Sequence, residues 1–451
     1  MEYKLGAIDK EIVAAKAMII IEKGASEREA LKIISEKYNI TDWRIRGAIH
    51  SLVFEVLRRL NLIDALITKT LQKGTIEKLY PLLRNLLRIG VYIIKFTDTP
   101  PPKITKQIVE ETKNNLGKNI AKLSNALLRQ IEQMKLADVI KANSTDTKDL
   151  SLKYYHPPWF IDYLINLIGY SNAIKFLEKS LEPNQLFIRL NPLKADLPLV
   201  IEDLIKEKYS FEVDKDLPDI IKITKSETPI IHSSLYQKGL IYIQDKASAL
   251  VSHIVDPQEG DTIFDLCAAP GGKSMHLGQL MNNTGMVFAF DRSHRRLLEL
   301  TTKLMRYDLL NIYVLNAQID KKAVLIRKKA DKILIDPPCS GTGTFISRPY
   351  SKWKLQPKDI EMLTEIQWNL LTTAVKLLNT SGEIIYSTCS ITLEENEQLI
   401  KKFLAKFPDF SLVPTNPFIG VPGFLELSET QRLFPHLHDT EGFFISKLKR
   451  N

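Results

Sequence analysis

The sequence predicts a mixed α/β protein, with a parallel, doubly wound sheet in its second half and an all-helical first third. Two observations carry this. From about Ala247 onward, short apolar runs alternate with helical stretches, which is how strands joined by crossover helices read. Before residue 140, apolar residues recur at helical spacing instead. The length of 451 residues leaves room for two or three domains, and 44% hydrophobic with 25% charged residues lets each bury a core.

In the first third, "ASEREALKIISEKYN" and "NIAKLSNALLRQIEQM" are helical, with Leu123, Leu127, Ile131 and Met134 marking one face of the second. "TPPPKITKQIVEETKNNLG" predicts a turn feeding a helix, with prolines before its start and Gly117 near its end. Residues 141–158, "KANSTDTKDLSLKYYHPP", break the pattern and predict a linker closed by Pro157 and Pro158. The predicted strands then follow in order. "TIFDLC" carries Asp265, "MVFAFD" ends in Asp291, "IYVLN" in Asn316, "KILID" in Asp336 and "EIIYSTC" in Cys389. Polar residues gathered at strand C-termini mark the edge where such sheets bind ligands.

The net charge is +9, and +8 of it falls within residues 1–150. A basic surface concentrated in this way is what a nucleic-acid partner needs, although a solvated lysine-rich surface looks the same in composition. No apolar run approaches a membrane span, and the N-terminal stretch is interrupted by acids, unlike a signal peptide. Three cysteines build no disulfide framework, which places the chain in a reducing cytoplasm. There is no CxxC and no His/Cys cluster at zinc spacing, so no metal is expected.

The first crossover, "DLCAAPGGKSMHLGQL", lacks GxGxxG but does similar work. Ala268, Ala269, Gly271 and Gly272 remove side chains around Pro270, so a ligand can approach the backbone. Helix N-terminal amides follow at Lys273 and Ser274. Asp291 lies 26 residues after Asp265 at the second strand end, where a carboxylate accepts from both hydroxyls of a ribose. A dinucleotide enzyme would share these features. What argues against one is the rest of the edge: "IDPPCSGTG" on the fourth strand and "YSTCS" on the fifth, each with a cysteine. An enzyme that methylates an amino group would leave both thiols unexplained. A thiolate can instead act as a covalent nucleophile. Spacing alone does not say which cysteine is the nucleophile.

These motifs resemble a known family. "DLCAAPGGKS", "FDRSHRRL", "DPPCSGTGTF", "RPYSKWKL" and "YSTCSITLEENE" follow in the order of the S-adenosylmethionine-dependent RNA cytosine-C5 methyltransferases. "FIRLNPLK", "GLIYIQDKAS" and "EGFFISKLKR" match as well. "LLRIGVYIIKF", "PPPKITKQIVEETK" and "AKLSNALLRQ" resemble the NusB-like helical RNA-binding domain, which points to the RsmB-type members acting on small-subunit rRNA. Three positions depart from the family pattern: Pro337 replaces an alanine, Asn316 an aspartate near the adenine, and Glu441 an aspartate before Gly-Phe-Phe.

The resemblance implies a NusB-like domain over residues 1–140, a linker over 141–158, an RRM-like part over 159–235 and a Rossmann-like class I methyltransferase domain over 236–451. It implies that a thiolate adds to carbon 6 of a cytosine so that carbon 5 can take a methyl group, with Asp336 as the acid that meets the charge at N3. It assigns Cys389 as nucleophile and Cys339 as the group that assists release. Cofactor contacts fall on Cys267, Ala268, Ala269, Pro270, Gly271, Gly272, Lys273, Asp291, Arg292, Asn316 and Asp336. The Cys267 thiol reads as packing, and Lys273 either meets the cofactor carboxylate or caps its helix. Arg348 meets phosphate or base, or makes a surface salt bridge. The RRM-like part lacks the stacking aromatics and reads as scaffold. The implied substrate is an unstacked cytosine in rRNA, with tRNA as the alternative and an RNA-binding assembly factor without turnover as another.

Overall fold

The computed structural model describes residues 9–141, 144–319 and 326–451, which form two compact units. The first comprises residues 1–181 together with 348–354, and the second comprises 182–347 and 355–451. Among the described residues no helix is long and apolar enough to cross a membrane.

The first unit is helical. Its core is built by helices such as Lys10–Glu22, Trp43–Arg58, Pro81–Phe96 and Lys118–Gln133, which pool Val13, Met18, Val53, Leu86, Leu87 and Ile131. Pro101–Leu116 begins on its prolines and stops at Gly117, whose φ of +90° a side chain would resist. The face of Lys118–Gln133 differs from the expected one. Ala121, Ser124, Leu127, Leu128 and Ile131 are buried, while Leu123 is exposed. The stretch expected as a linker also differs, because Thr147–Tyr154 is a helix, N-capped by Asp146. Leu150 and Tyr154 are its buried apolar residues, so tertiary packing holds it and the sequence hides it. Helix Pro158–Lys179, expected as the start of the RRM-like part, belongs to this unit.

The second unit contains two sheets. Strands β1 (Leu186–Leu190), β2 (Ser210–Val213), β3 (Ile220–Lys225) and β4 (Ile241–Ile243) form an antiparallel sheet in the order β2-β3-β1-β4. Its last strand lies beyond residue 235, where a boundary was expected.

The larger sheet begins with β5 (Thr262–Asp265), β6 (Met286–Asp291), β7 (Ile312–Asn316), β8 (Ala330–Ile335) and β9 (Leu378–Thr388), all parallel to their neighbours in this set. Strands β10 (Phe410–Val413), β11 (Val421–Pro422), β12 (Gln431–Leu433) and β13 (Phe443–Arg450) extend it in antiparallel fashion. The order runs β11-β12-β13-β9-β8-β5-β6-β7, with β10 pairing β13.

Strand periodicity sorts the core into two layers. Ile263, Leu334 and Ile385 face one cluster with Met275 and Leu300, while Phe264, Ile333, Ile335 and Ile384 face the other with Leu371 and Ile400. The order reverses at β5, between β6 and β8, so a crevice opens there at the strands' C-terminal ends.

Candidate active site

Strands β8 and β9 are parallel neighbours, with Ile335 paired to Tyr386, so the turns that leave them lie side by side. One turn carries Cys339 and the other Cys389. Their sulfurs are 3.3 Å apart, both are free thiols, and both are half-buried. The hydrogen bond to Cys389, and then burial, push the Cys339 thiol well above its ordinary value; the charges of Glu395 and Asp336 add to this. Cys339 is therefore held protonated beside its neighbour.

Asp336 follows the last residue of β8 and accepts from Lys273 Nζ at 2.7 Å and from the Ser387 hydroxyl at 3.3 Å. Burial works against the Lys273 charge, but Asp336 outweighs it, with contributions from Cys389 and Asp265, and holds the ammonium above the ordinary lysine value. Lys273 also lies over the Phe443 ring. Its side chain thus pairs with Asp336 and does not cap its helix, one of the two roles expected of it. The ion pair places the Lys273 ammonium directly against Asp336, the residue expected to meet N3. Asp265, one strand over, is buried, which pushes its carboxyl up to about 7 even though the Ser274 hydroxyl donates to it at 2.6 Å.

The turn after β5 leads into helix Gly272–Leu280. Ala268 and Ala269 are buried, and Asp291 at the end of β6 fastens the turn by accepting from the Ala269 amide at 3.2 Å. Its other oxygen accepts from the Ser293 amide at 2.8 Å. Gly271 has φ +102°, and a Cβ there would lie 2.3 Å from the Leu300 side chain, so helix packing as well as ligand approach demands glycine. Asn316 at the end of β7 donates to the Asp291 carbonyl at 2.9 Å, leaving its own carboxamide oxygen outside that bond. Arg292 is exposed beside it. The Cys267 thiol packs against the second core layer, and its amide donates to Asp265. Arg348 is exposed in the segment that belongs to the first unit.

Sequence reasoning missed Glu395. It is fully buried and joins the two cysteine turns, accepting from Ser340 on one and Ser390 on the other. It also missed a cluster drawn from three distant segments. Asp219 accepts from His253 at 2.9 Å and lies 3.0 Å from His276 Nε2, with ligand atoms of all three within 4.8 Å of one another. Burial, and then the charge of Arg189, push His276 down to about 3. Asp219 sits far below the usual carboxylate range because these two imidazoles outweigh its burial. The Arg189 guanidinium, also fully buried, acts on this cluster by its charge while donating to Gln244, Gln279 and the Gly272 carbonyl.

A Rossmann-like sheet with an Ala-Gly turn, a carboxylate at the end of the adjacent strand and paired thiols along one edge is the architecture of a methyltransferase domain, here joined to a helical unit. Residues 252–449 match the model described as "16S rRNA methyltransferase RsmB/F", and residues 10–133 match the NusB family. A "Probable ribosomal RNA small subunit methyltransferase B" of Synechocystis is 30% identical over 88% of this chain and 90% of its own length. The "25S rRNA (cytosine-C(5))-methyltransferase nop2" of Schizosaccharomyces pombe is 32% identical over 67% of this chain and 52% of its own. The crystal structure of PH0851 superposes with a TM-score of 0.86 at 30% identity, covering 99% of this chain and all of the other. The chain belongs to the RsmB/F family of rRNA methyltransferases.

Proposed function

We propose that the protein methylates carbon 5 of a cytosine in rRNA, with Cys389 forming a covalent bond to carbon 6 during turnover. The observation that carries this is the pair of thiols 3.3 Å apart, one of them held protonated. The contact between the two sulfurs serves either order of roles, and the family resemblance assigns Cys389 to addition and Cys339 to the later step. The names of the relatives support rRNA and carbon 5. The relevant test uses purified protein with methyl-labelled cofactor and separated rRNA and tRNA. Label in 5-methylcytosine of rRNA is expected. Label in tRNA alone would establish the alternative substrate, and no label in either would leave an assembly factor.

The cycle follows from the side chains. The Cys389 thiolate bonds to carbon 6, and the ring's π pair moves toward carbon 5 while N3 shares a proton held by Asp336. Lys273 places a positive charge beside these groups and steadies the anionic steps. Once carbon 5 is methylated its proton leaves to water, the C–H electron pair reforms the carbon 5–carbon 6 double bond, and the carbon–sulfur pair departs on Cys389. Cys339, in contact with the departing sulfur, assists that release.

The donor of the methyl group is S-adenosylmethionine, which supplies an electrophilic sulfonium methyl when bound. The residues present fit it. The turn offers only small side chains at Ala268, Ala269, Gly271 and Gly272, and Asp291 stands at the end of the adjacent strand with lone pairs to spare. Cys267, Pro270, Lys273, Arg292, Asn316 and Asp336 complete the proposed lining. Replacing Asp291 with alanine should weaken S-adenosylhomocysteine binding by ~1.5–3 kcal/mol, because a charged acceptor is lost. Unchanged affinity by calorimetry would remove Asp291 from the cofactor site.

The helical unit is proposed to hold RNA by charge. Lys118, Lys122 and Arg129 are exposed along one side of helix Lys118–Gln133. Changing all three to glutamine should flatten the dependence of log affinity on log salt by about two, at ~0.7–0.9 per phosphate contact. A slope identical to that of the parent protein would place the RNA surface elsewhere.

A further inference from the structure

We infer that Glu395 is a positioning residue that holds the two thiols at contact distance. Its carboxylate is fully buried and receives five neutral donors. Oε1 accepts from the Ser340 amide at 2.8 Å and from Gln367 Nε2 at 2.9 Å. Oε2 accepts from the hydroxyls of Ser340 at 2.5 Å, Ser390 at 2.6 Å and Thr392 at 2.7 Å. Ser340 follows Cys339, and Ser390 follows Cys389. Gln367 Nε2 also donates to the Pro338 carbonyl at 3.0 Å, so the residues on both sides of Cys339 are tied to one acid. A buried carboxylate without these bonds would be strongly unfavourable, so the network and the charge require one another. The two cysteine turns are also joined by the Gly343 amide donating to the Cys389 carbonyl at 3.0 Å, and the acid adds a tie next to each thiol.

The chemistry of the donors separates position from charge. Both partners of Oε1 are N–H groups that can only donate, whereas all three partners of Oε2 are hydroxyls that can turn round and accept. A glutamine at 395 with its oxygen at the Oε1 place keeps both Oε1 bonds, and its two N–H groups can reach two of the three hydroxyls, so most of the clamp survives without the charge. Alanine removes it. For catalysis this inference rests on the covalent route proposed above, in which Cys339 must reach the sulfur that leaves carbon 6.

Phenylarsine oxide reads the thiol separation directly. Two S–H groups condense with it, forming two As–S bonds and releasing its oxygen as water, and only neighbouring thiols hold it tightly. The parent protein should bind one equivalent, and Cys339→Ser and Cys389→Ser should each lose that tight binding. Glu395→Ala should bind at least about tenfold more weakly, and Glu395→Gln should stay within about threefold of the parent. In turnover with rRNA, Glu395→Ala should leave a cofactor-dependent protein–RNA adduct that Glu395→Gln clears. Should the alanine variant fail to fold by circular dichroism, Ser340→Ala removes one donor only and should weaken arsenical binding about threefold. Parent-like arsenical binding in the folded variant overturns the positioning role. Turnover by Cys389→Ser would instead overturn the covalent route, and arsenical binding would still decide the clamp.

Discussion

Replacing Cys389 with serine should abolish methyl transfer, lowering turnover by at least about 10³-fold, with no protein–RNA adduct formed. A serine hydroxyl has a far higher pKa than a thiol and cannot supply the anion that adds to carbon 6. Replacing Cys339 should fail differently. Addition and methyl transfer proceed, but release stalls, because the protonated thiol in contact with Cys389 is gone. The enzyme should then accumulate joined to RNA, visible as a slow band on a denaturing gel, dependent on cofactor and lost in the double variant. An adduct in Cys389→Ser with none in Cys339→Ser would reverse the roles.

Much of this site was legible because its residues are attached to regular elements. Asp265, Asp291, Asn316, Asp336 and Cys389 each sit at or next to the end of an apolar run, and parallel strands put all their ends on one edge. What the sequence hid depends on contacts between segments far apart in the chain. Glu395 stands in "LEENE", where an acid on a polar loop ordinarily faces water; its burial follows only once Ser340 and Gln367, from other segments, converge on it. Lys273 follows two glycines at a helix start, so its sequence suggested anion binding or capping, and its pairing with Asp336 required the adjacency of β5 and β8. His253, His276 and Asp219 share no spacing at all. The short helix Thr147–Tyr154 was unreadable because two turns carry too few apolar residues to show a period.

A second buried charge holds the turn after Cys389 from the other side, and breaking it should produce the largest stability change. Arg432 on β12 and Glu397 at the start of helix Glu397–Lys406 are both fully buried and paired through two guanidinium nitrogens. Arg432 Nη1 donates to the Ile391 carbonyl at 2.9 Å, two residues past Cys389, and the guanidinium lies among the rings of Phe424, Phe434 and Phe444. Glu397 Oε1 also accepts from the Phe424 amide at 3.0 Å. Removing one partner leaves the other charge desolvated and unpaired, so Glu397→Ala should destabilise the second unit by ~3–5 kcal/mol. Replacing both, as Glu397→Leu with Arg432→Met, exchanges two buried charges for apolar groups of similar size. That double variant should be more stable than Glu397→Ala, with a coupling of at least ~2 kcal/mol. Hydrogen exchange of the β9 and β13 amides reads this unit by itself, since those strands pair across its sheet. The double variant should nonetheless turn over more slowly than the parent, because the Ile391 carbonyl loses its donor and the turn beside Cys389 is freed. If Glu397→Ala costs under ~1 kcal/mol, or the double variant shows the simple sum of its parts, the pair is not what fixes this turn.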